Sequence, residues 1–134
     1  MPRLTSRTID LNRVVITGMG TLNPLGNDVP TSWSALLKGV SGIGPLEGFQ
    51  VDDLAVRFGG QIRGFDPESV LEKKDARRYD PFLAFSMAAA VEAMTDSGFT
   101  VPPERCERTG VLIGSGIAGL ATMLENCDAL LSKG

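Results

Sequence analysis

Few residues in this chain could do covalent or acid-base chemistry. Cys106 and Cys127 are the only cysteines, and histidine is absent. Without histidine there is no side chain that ordinarily titrates near neutrality, no Cys-His pair and no partner to complete a zinc set. Cys106 sits in PPERCERTG and Cys127 in LENCDALL, and both read as buried, reduced thiols that only pack. No catalytic residue and no metal site is expected from them. Two other resources remain, the backbone N–H groups of glycine-rich turns and a cluster of cations.

The glycines come in two runs. RVVITGMGTLNPLG (residues 13–26) feeds β-branched residues into Gly18, Gly20 and Gly26. A dinucleotide loop needs G-x-G-x-x-G between a strand and a helix whose N-terminus receives the pyrophosphate. Here the third position is Asn23, and Pro24 stands where the helix should begin. No acid follows at the distance a ribose clamp requires. GVLIGSGIAGL (residues 110–120) does match, through Gly114, Gly116 and Gly119. A lone match is weak, and the strand that would carry the ribose-binding acid lies past residue 134. The alternative is that these six glycines let strand, turn and helix backbones approach closely. On that reading no cofactor is expected.

The cations gather at residues 73–78, KKDARR, where Lys74, Arg77 and Arg78 stand at i, i+3 and i+4. If the segment is helical, the three leave one face together. It is either a solvated turn or a dock for an acidic partner. The net charge of −3 and the isoelectric point near 4.9 give no global attraction to nucleic acid or to an anionic membrane.

The chain of 134 residues, 43% hydrophobic, is one domain's worth of a soluble globular protein. Strands are expected at residues 13–17 (RVVIT), 111–114 (VLIG) and, weakly, 56–62 (VRFGGQI). A helix is expected over residues 30–38, capped by Asp28 or Thr31 and ended by Gly39, with Trp33, Leu36 and Leu37 on one face. The glycine-rich SGIGPLEGF after it reads as a loop. The clearest helix runs over residues 80–97: Asp80 caps it, Pro81 opens it and Gly98 stops it. It is apolar or small almost all round, with Glu92 and Asp96 as a narrow polar edge, so it should be buried between other elements. Another helix spans residues 119–132, with Leu120, Met123, Leu124, Cys127, Leu130 and Leu131 as its apolar stripe. Alternating strands and helices predict an α/β fold with a mostly parallel sheet. No apolar run reaches membrane-spanning length, and residues 1–12 lack a secretory h-region, so a cytoplasmic protein is the expectation.

Four segments in order, RVVITGMGTLNPLGN, SWSALLKGVSGI, KKDARRYDPF before a helix ending DSG, and GVLIGSGIAGL, together resemble the β-ketoacyl-[acyl-carrier-protein] synthases. The GSGIAGL form is similar to the type II enzymes, with Ala118 where most relatives carry glycine. The resemblance implies a thiolase-like fold and a decarboxylative condensation of fatty acid biosynthesis, in which an acyl group on a cysteine is attacked by the carbanion from malonyl carrier protein. It implies that both glycine runs are strand-to-helix turns that bind no nucleotide. It places Lys74, Arg77 and Arg78 at the positions that meet the acidic acyl carrier protein, and Ile117 in the acyl pocket near a homodimer interface. The family's nucleophile lies in a Thr-Ala-Cys context assisted by two histidines and a lysine, and neither cysteine here has that context. The sequence thus reads as residues 13–134 of a partial synthase domain after an extension at residues 1–12. Two functional classes follow, part of a condensing enzyme or a non-catalytic module that binds the carrier protein or a dimer partner.

Overall fold

The structure is a computed structural model that describes residues 12–48 and 50–134. The expected extension at residues 1–12 lies outside them, Asn12 excepted. Helix α1 spans Val29–Leu37. A short hairpin-like pair follows, β1 Ile43–Pro45 and β2 Phe58–Gly60. Next come a 3-10 turn at Pro67–Ser69, the one-turn helix α2 at Lys73–Ala76 and the long helix α3 at Pro81–Ser97. A second 3-10 turn at Pro103–Arg108 and helix α4 at Leu120–Lys133 complete the order.

The helix ends follow local chemistry. The Asp28 carboxylate accepts from the Thr31 amide at 2.6 Å and the Thr31 hydroxyl at 2.9 Å, and these two bonds, the amide first, hold its pKa below the ordinary 3.8. Gly39, just past α1, has φ 66°, a left-handed turn that glycine adopts without strain. Gly98 ends α3 in the same way, at φ 60° and ψ 11°. The 3-10 turn at Pro67–Ser69 packs against α3, and just before it the Phe65 ring meets that of Phe85 edge to face at 5.5 Å.

The expected mostly parallel sheet is not formed among the described residues. Among the described residues the one sheet is the antiparallel pair β1–β2, with Ile43 opposite Gly60 and Pro45 opposite Phe58. Residues 13–17 and 111–114 join no ladder. β-branched composition favours a strand, but a strand exists only with a partner, and neither run finds one among the described residues. Their side chains lie open, Val14 at 89% exposure and Leu112 at 99%. The segment read as a loop contains β1 instead, and the weak strand shrinks to its centre, β2. Gln61 extends the pairing by side chain, donating to the Glu47 carbonyl at 3.1 Å and accepting from the Glu47 amide at 2.8 Å.

The core is correspondingly small. Among the described residues only Ala84 and Ser32 are buried. The accessible surface is 11696 Å², whereas a folded monomer of this mass exposes about 6800 Å². Helix α3 is therefore not enclosed as its composition predicts; Met87, Val91 and Met94 along it are exposed. The apolar stripe of α4 is exposed throughout. Both cysteines are exposed and unbonded, not buried. Cys106 lies on the outer 3-10 turn and Cys127 on the uncovered α4, so packing does not explain either.

Candidate functional site

The first glycine run lies directly on α3. A Cβ at Gly20 would strike the Ala89 carbonyl and come within 2.8 Å of the Ala93 nitrogen. At Gly18 it would strike the Ala93 carbonyl and meet the Ser97 nitrogen at 2.6 Å. Two extended residues advance about 6.6 Å and four helical residues about 6.0 Å, so alternate residues of one segment meet every fourth residue of the other. The residues between the glycines use the same match. The Met19 amide donates to Asp96 Oδ2 at 2.9 Å and the Thr21 amide to Glu92 Oε2 at 2.8 Å. Glu92 Oε1 accepts from the Val29 amide at 2.7 Å, so one carboxylate ties residue 21, the first turn of α1 and α3 together.

The run then closes a tight turn. Asn23 and Gly26 exchange both backbone hydrogen bonds, at 3.0 and 3.1 Å. The Asn23 side chain accepts from the Leu25 amide at 2.8 Å and donates to Ser32 Oγ at 2.9 Å. A Cβ at Gly26 would meet Thr31 Cγ2 at 2.8 Å. The amides of Met19, Thr21, Asn23, Leu25, Gly26 and Val29 all donate within the protein. A phosphate loop needs such donors free and a helix N-terminus clear of anions. Here the donors are committed, and the carboxylates of Asp28 and Glu92 occupy the start of α1.

The second run is different. Nothing lies within 4 Å of a Cβ built at Gly114 or Gly116. The Ala118 amide donates to Ser115 Oγ at 3.0 Å, and Ala118 has φ 60°, the one positive φ outside glycine among the described residues. A Cβ at Gly119 would strike the Asp80 carboxylate, which also accepts a hydrogen bond from Thr122 Oγ1. That carboxylate sits where a phosphate would approach α4. Ile117, which precedes Ala118 in the chain, is 66% exposed.

Lys74 lies in α2, and Arg77 is that helix's C-cap residue at φ −85° and ψ −17°. Arg78 follows, its amide donating to the Asp75 carbonyl at 3.0 Å. All three side chains are exposed, and among the described residues none is in an ion pair. The helix covers a single turn, shorter than a helical face across residues 74–78 requires. The three cations therefore form an exposed basic segment directly before α3. An apolar groove of about 1050 Å³ is lined by Gly18, Gly20, Pro24, Trp33, Leu36 and Ile43 among others.

Sequence reasoning missed the work of Glu92, Asp96 and Asp80. A signal was present for the first pair: two acids at i, i+4 on an otherwise apolar helix need donors facing them. For Asp80 the cap reading hid the contact to α4, which spans 42 positions.

The described residues have a thiolase-like fold. In solved structures it is similar to the ishigamide ketosynthase/chain length factor, with a TM-score of 0.66 at 22% identity, over 87% of this chain and 30% of that one. The family described as Beta-ketoacyl synthase, N-terminal domain, matches residues 11–133, and the chain belongs to it. It is 48% identical over 122 residues to 3-oxoacyl-[acyl-carrier-protein] synthase 2 of Vibrio cholerae and 42% identical over 126 residues to the protein of that name from Coxiella burnetii. These matches cover 91% and 94% of this chain. The chain spans 30% of the length of each of those two relatives.

Proposed function

We propose that this chain serves a 3-oxoacyl-[acyl-carrier-protein] synthase of the type II kind, as the part that receives the acidic carrier protein and walls the acyl pocket. The observation that carries the reading is the exposed segment of Lys74, Arg77 and Arg78, free of ion pairs among the described residues, in a chain of net charge −3 that belongs to the synthase family. Local positive charge in an acidic protein steers an acidic partner to one place. Ile117, on the turn before α4, lines the acyl pocket near the interface of a homodimer. In the assembled enzyme the runs at residues 13–17 and 111–114 enter a parallel sheet, which supplies the partners they lack here. Gly18, Gly20, Gly26 and Gly119 act as close-approach turns in this chain, Gly114 and Gly116 do so only in the assembled enzyme, and neither run takes a nucleotide.

The reaction proposed for the whole enzyme breaks the bond between malonyl C2 and its carboxylate, releasing carbon dioxide. The resulting carbanion forms a carbon-carbon bond to the acyl carbonyl and displaces the cysteine thiolate. This chain supplies binding surface and scaffold to that chemistry, because it has no histidine and neither cysteine lies in a Thr-Ala-Cys context. The purified chain should show no malonyl decarboxylation above background. The decisive experiment measures carrier-protein affinity with Arg77→Glu and Arg78→Glu together. The double reversal should weaken binding at least about tenfold at low salt, with the loss shrinking as the Debye length falls to about 3 Å near 1 M salt. Unchanged affinity at low salt would show the segment to be only a solvated turn.

A further inference from the structure

Asp80 holds the N-cap position of α3, yet its side chain makes no hydrogen bond to that helix. An aspartate there ordinarily accepts from an N–H of its own first turn. Its carboxylate turns instead to α4, accepting from Thr122 Oγ1 and lying against Gly119 so closely that a side chain there would collide with it. A negative charge at this end of α4 is also favoured by the helix dipole. One side chain thus fastens the start of α4 to the start of α3.

The turn just before α4 contains the strained residue. Ala118 is in the left-handed region, which its Cβ disfavours, and its local support is the single bond from its amide to Ser115 Oγ. Such a conformation persists only where its surroundings hold it. The next residue, Gly119, is the one against Asp80. On the other side, Asp80 follows Arg78 by two residues, and the Tyr79 amide between them donates to the Asp75 carbonyl of α2 at 2.9 Å. The basic segment, Asp80 and the strained turn are therefore mechanically in series.

We propose that Asp80 is a positioning residue: it holds the 115–119 turn in its left-handed state through Thr122 and Gly119, and transmits displacement of the basic segment to Ile117. The two-state element is Ala118, left-handed when Asp80 holds Gly119 and relaxed when it does not. The transmission half rests on the docking role proposed above, whereas the holding half does not.

The test reads the intraresidue HN–Hα cross-peak of Ala118 by NMR in the 134-residue chain, a signal strong only at positive φ. Thr122→Val removes the hydroxyl at nearly constant shape and should lower the left-handed-to-relaxed ratio about fivefold, the worth of one hydrogen bond. Asp80→Ala should do the same without removing a cap bond from α3, and Thr122→Ser should restore the wild-type signal. An unchanged Ala118 signal in both Thr122→Val and Asp80→Ala would overturn the holding role. An acidic acyl carrier protein is then added. Binding should move the Ala118 signal in the wild type and leave it unmoved in Thr122→Val, at affinities within about twofold of one another, since the hydroxyl lies outside the cationic rim. Binding with no response at Ala118 in the wild type would overturn the transmission. Failure of the carrier protein to bind at all would refute the docking role and the transmission with it, while the first measurement still decides the holding role.

Discussion

Gly20 and Gly114 each follow a run of β-branched and aliphatic residues, in stretches that read alike. A Cβ on Gly20 would strike the Ala89 carbonyl, whereas a Cβ on Gly114 would meet nothing within 4 Å. The first region is closed, with Gly18 and Gly20 against the α3 backbone, Gly26 against α1, and the amides of Met19 and Thr21 bound by Asp96 and Glu92. The second is open, attached at Gly119 alone through Asp80. Glycine composition therefore does not tell a packed turn from a waiting one. The opposing residue does, and α3 offers alanines and paired acids where the first run arrives.

That contrast can be broken most severely at Gly20. Gly20→Ala forces backbone against backbone, where no flexible side chain can yield, and should destabilise the chain by about 3 kcal/mol. Gly114→Ala should stay within about 0.5 kcal/mol, as surface changes usually do. Thermal transitions followed by far-ultraviolet circular dichroism compare the two, and equal losses would erase the distinction. Glu92→Gln comes next. It keeps an acceptor for one amide but turns an NH₂ toward the other and removes the charge, for a loss of about 2 kcal/mol. A midpoint unchanged from wild type would show that the Thr21 and Val29 amides do not depend on it.

In the open region the sign reverses. Ala118→Gly relieves a left-handed cost of about 1–2 kcal/mol and gives back about 0.5–1 kcal/mol through the looser unfolded chain. The net is a gain of up to about 1.5 kcal/mol, and a lower transition temperature would contradict the strain assigned to this residue. The smallest effect lies at Asp28. Because the Thr31 amide and hydroxyl hold its pKa below 3.8, its contribution to α1 is complete above that value and is lost as the pH falls through the lower, folded pKa. Asp28→Asn keeps the cap and should remove this acid dependence of α1 helicity. An unchanged acid titration in Asp28→Asn would assign the dependence to another carboxylate.

The same contrast explains what could be read in advance. The bounds of α1 and α3 were legible because caps are local: Asp28 before Pro30, Asp80 before Pro81, Gly98 after Ser97. Residues 13–17 and 111–114 carry strand composition without forming strands, since pairing is set by chain elsewhere and propensity is silent about it. β1 was hidden by Gly44 and Pro45, residues that argue against a strand on any local scale, whereas β2 lies inside the weak strand expected at residues 56–62. At the site, the failure of a nucleotide loop was visible in Asn23 and Pro24. The reason, amides committed to Glu92 and Asp96, required knowing which helix the loop would meet. Lys74, Arg77 and Arg78 were legible as a charge cluster, but their common helical face was not, because α2 ends after a single turn.

Amide hydrogen exchange on the 134-residue chain tests the central contrast most directly. The amides of Met19, Thr21 and Val29 and those in the middle of α3 should exchange slowly, since each is bound within the closed region. The amides of residues 111–117 should exchange at nearly the rate of an unfolded chain. Slow exchange throughout residues 111–117 would mean that the second glycine run is packed like the first, and the division of this molecule into a closed and an open region would be wrong.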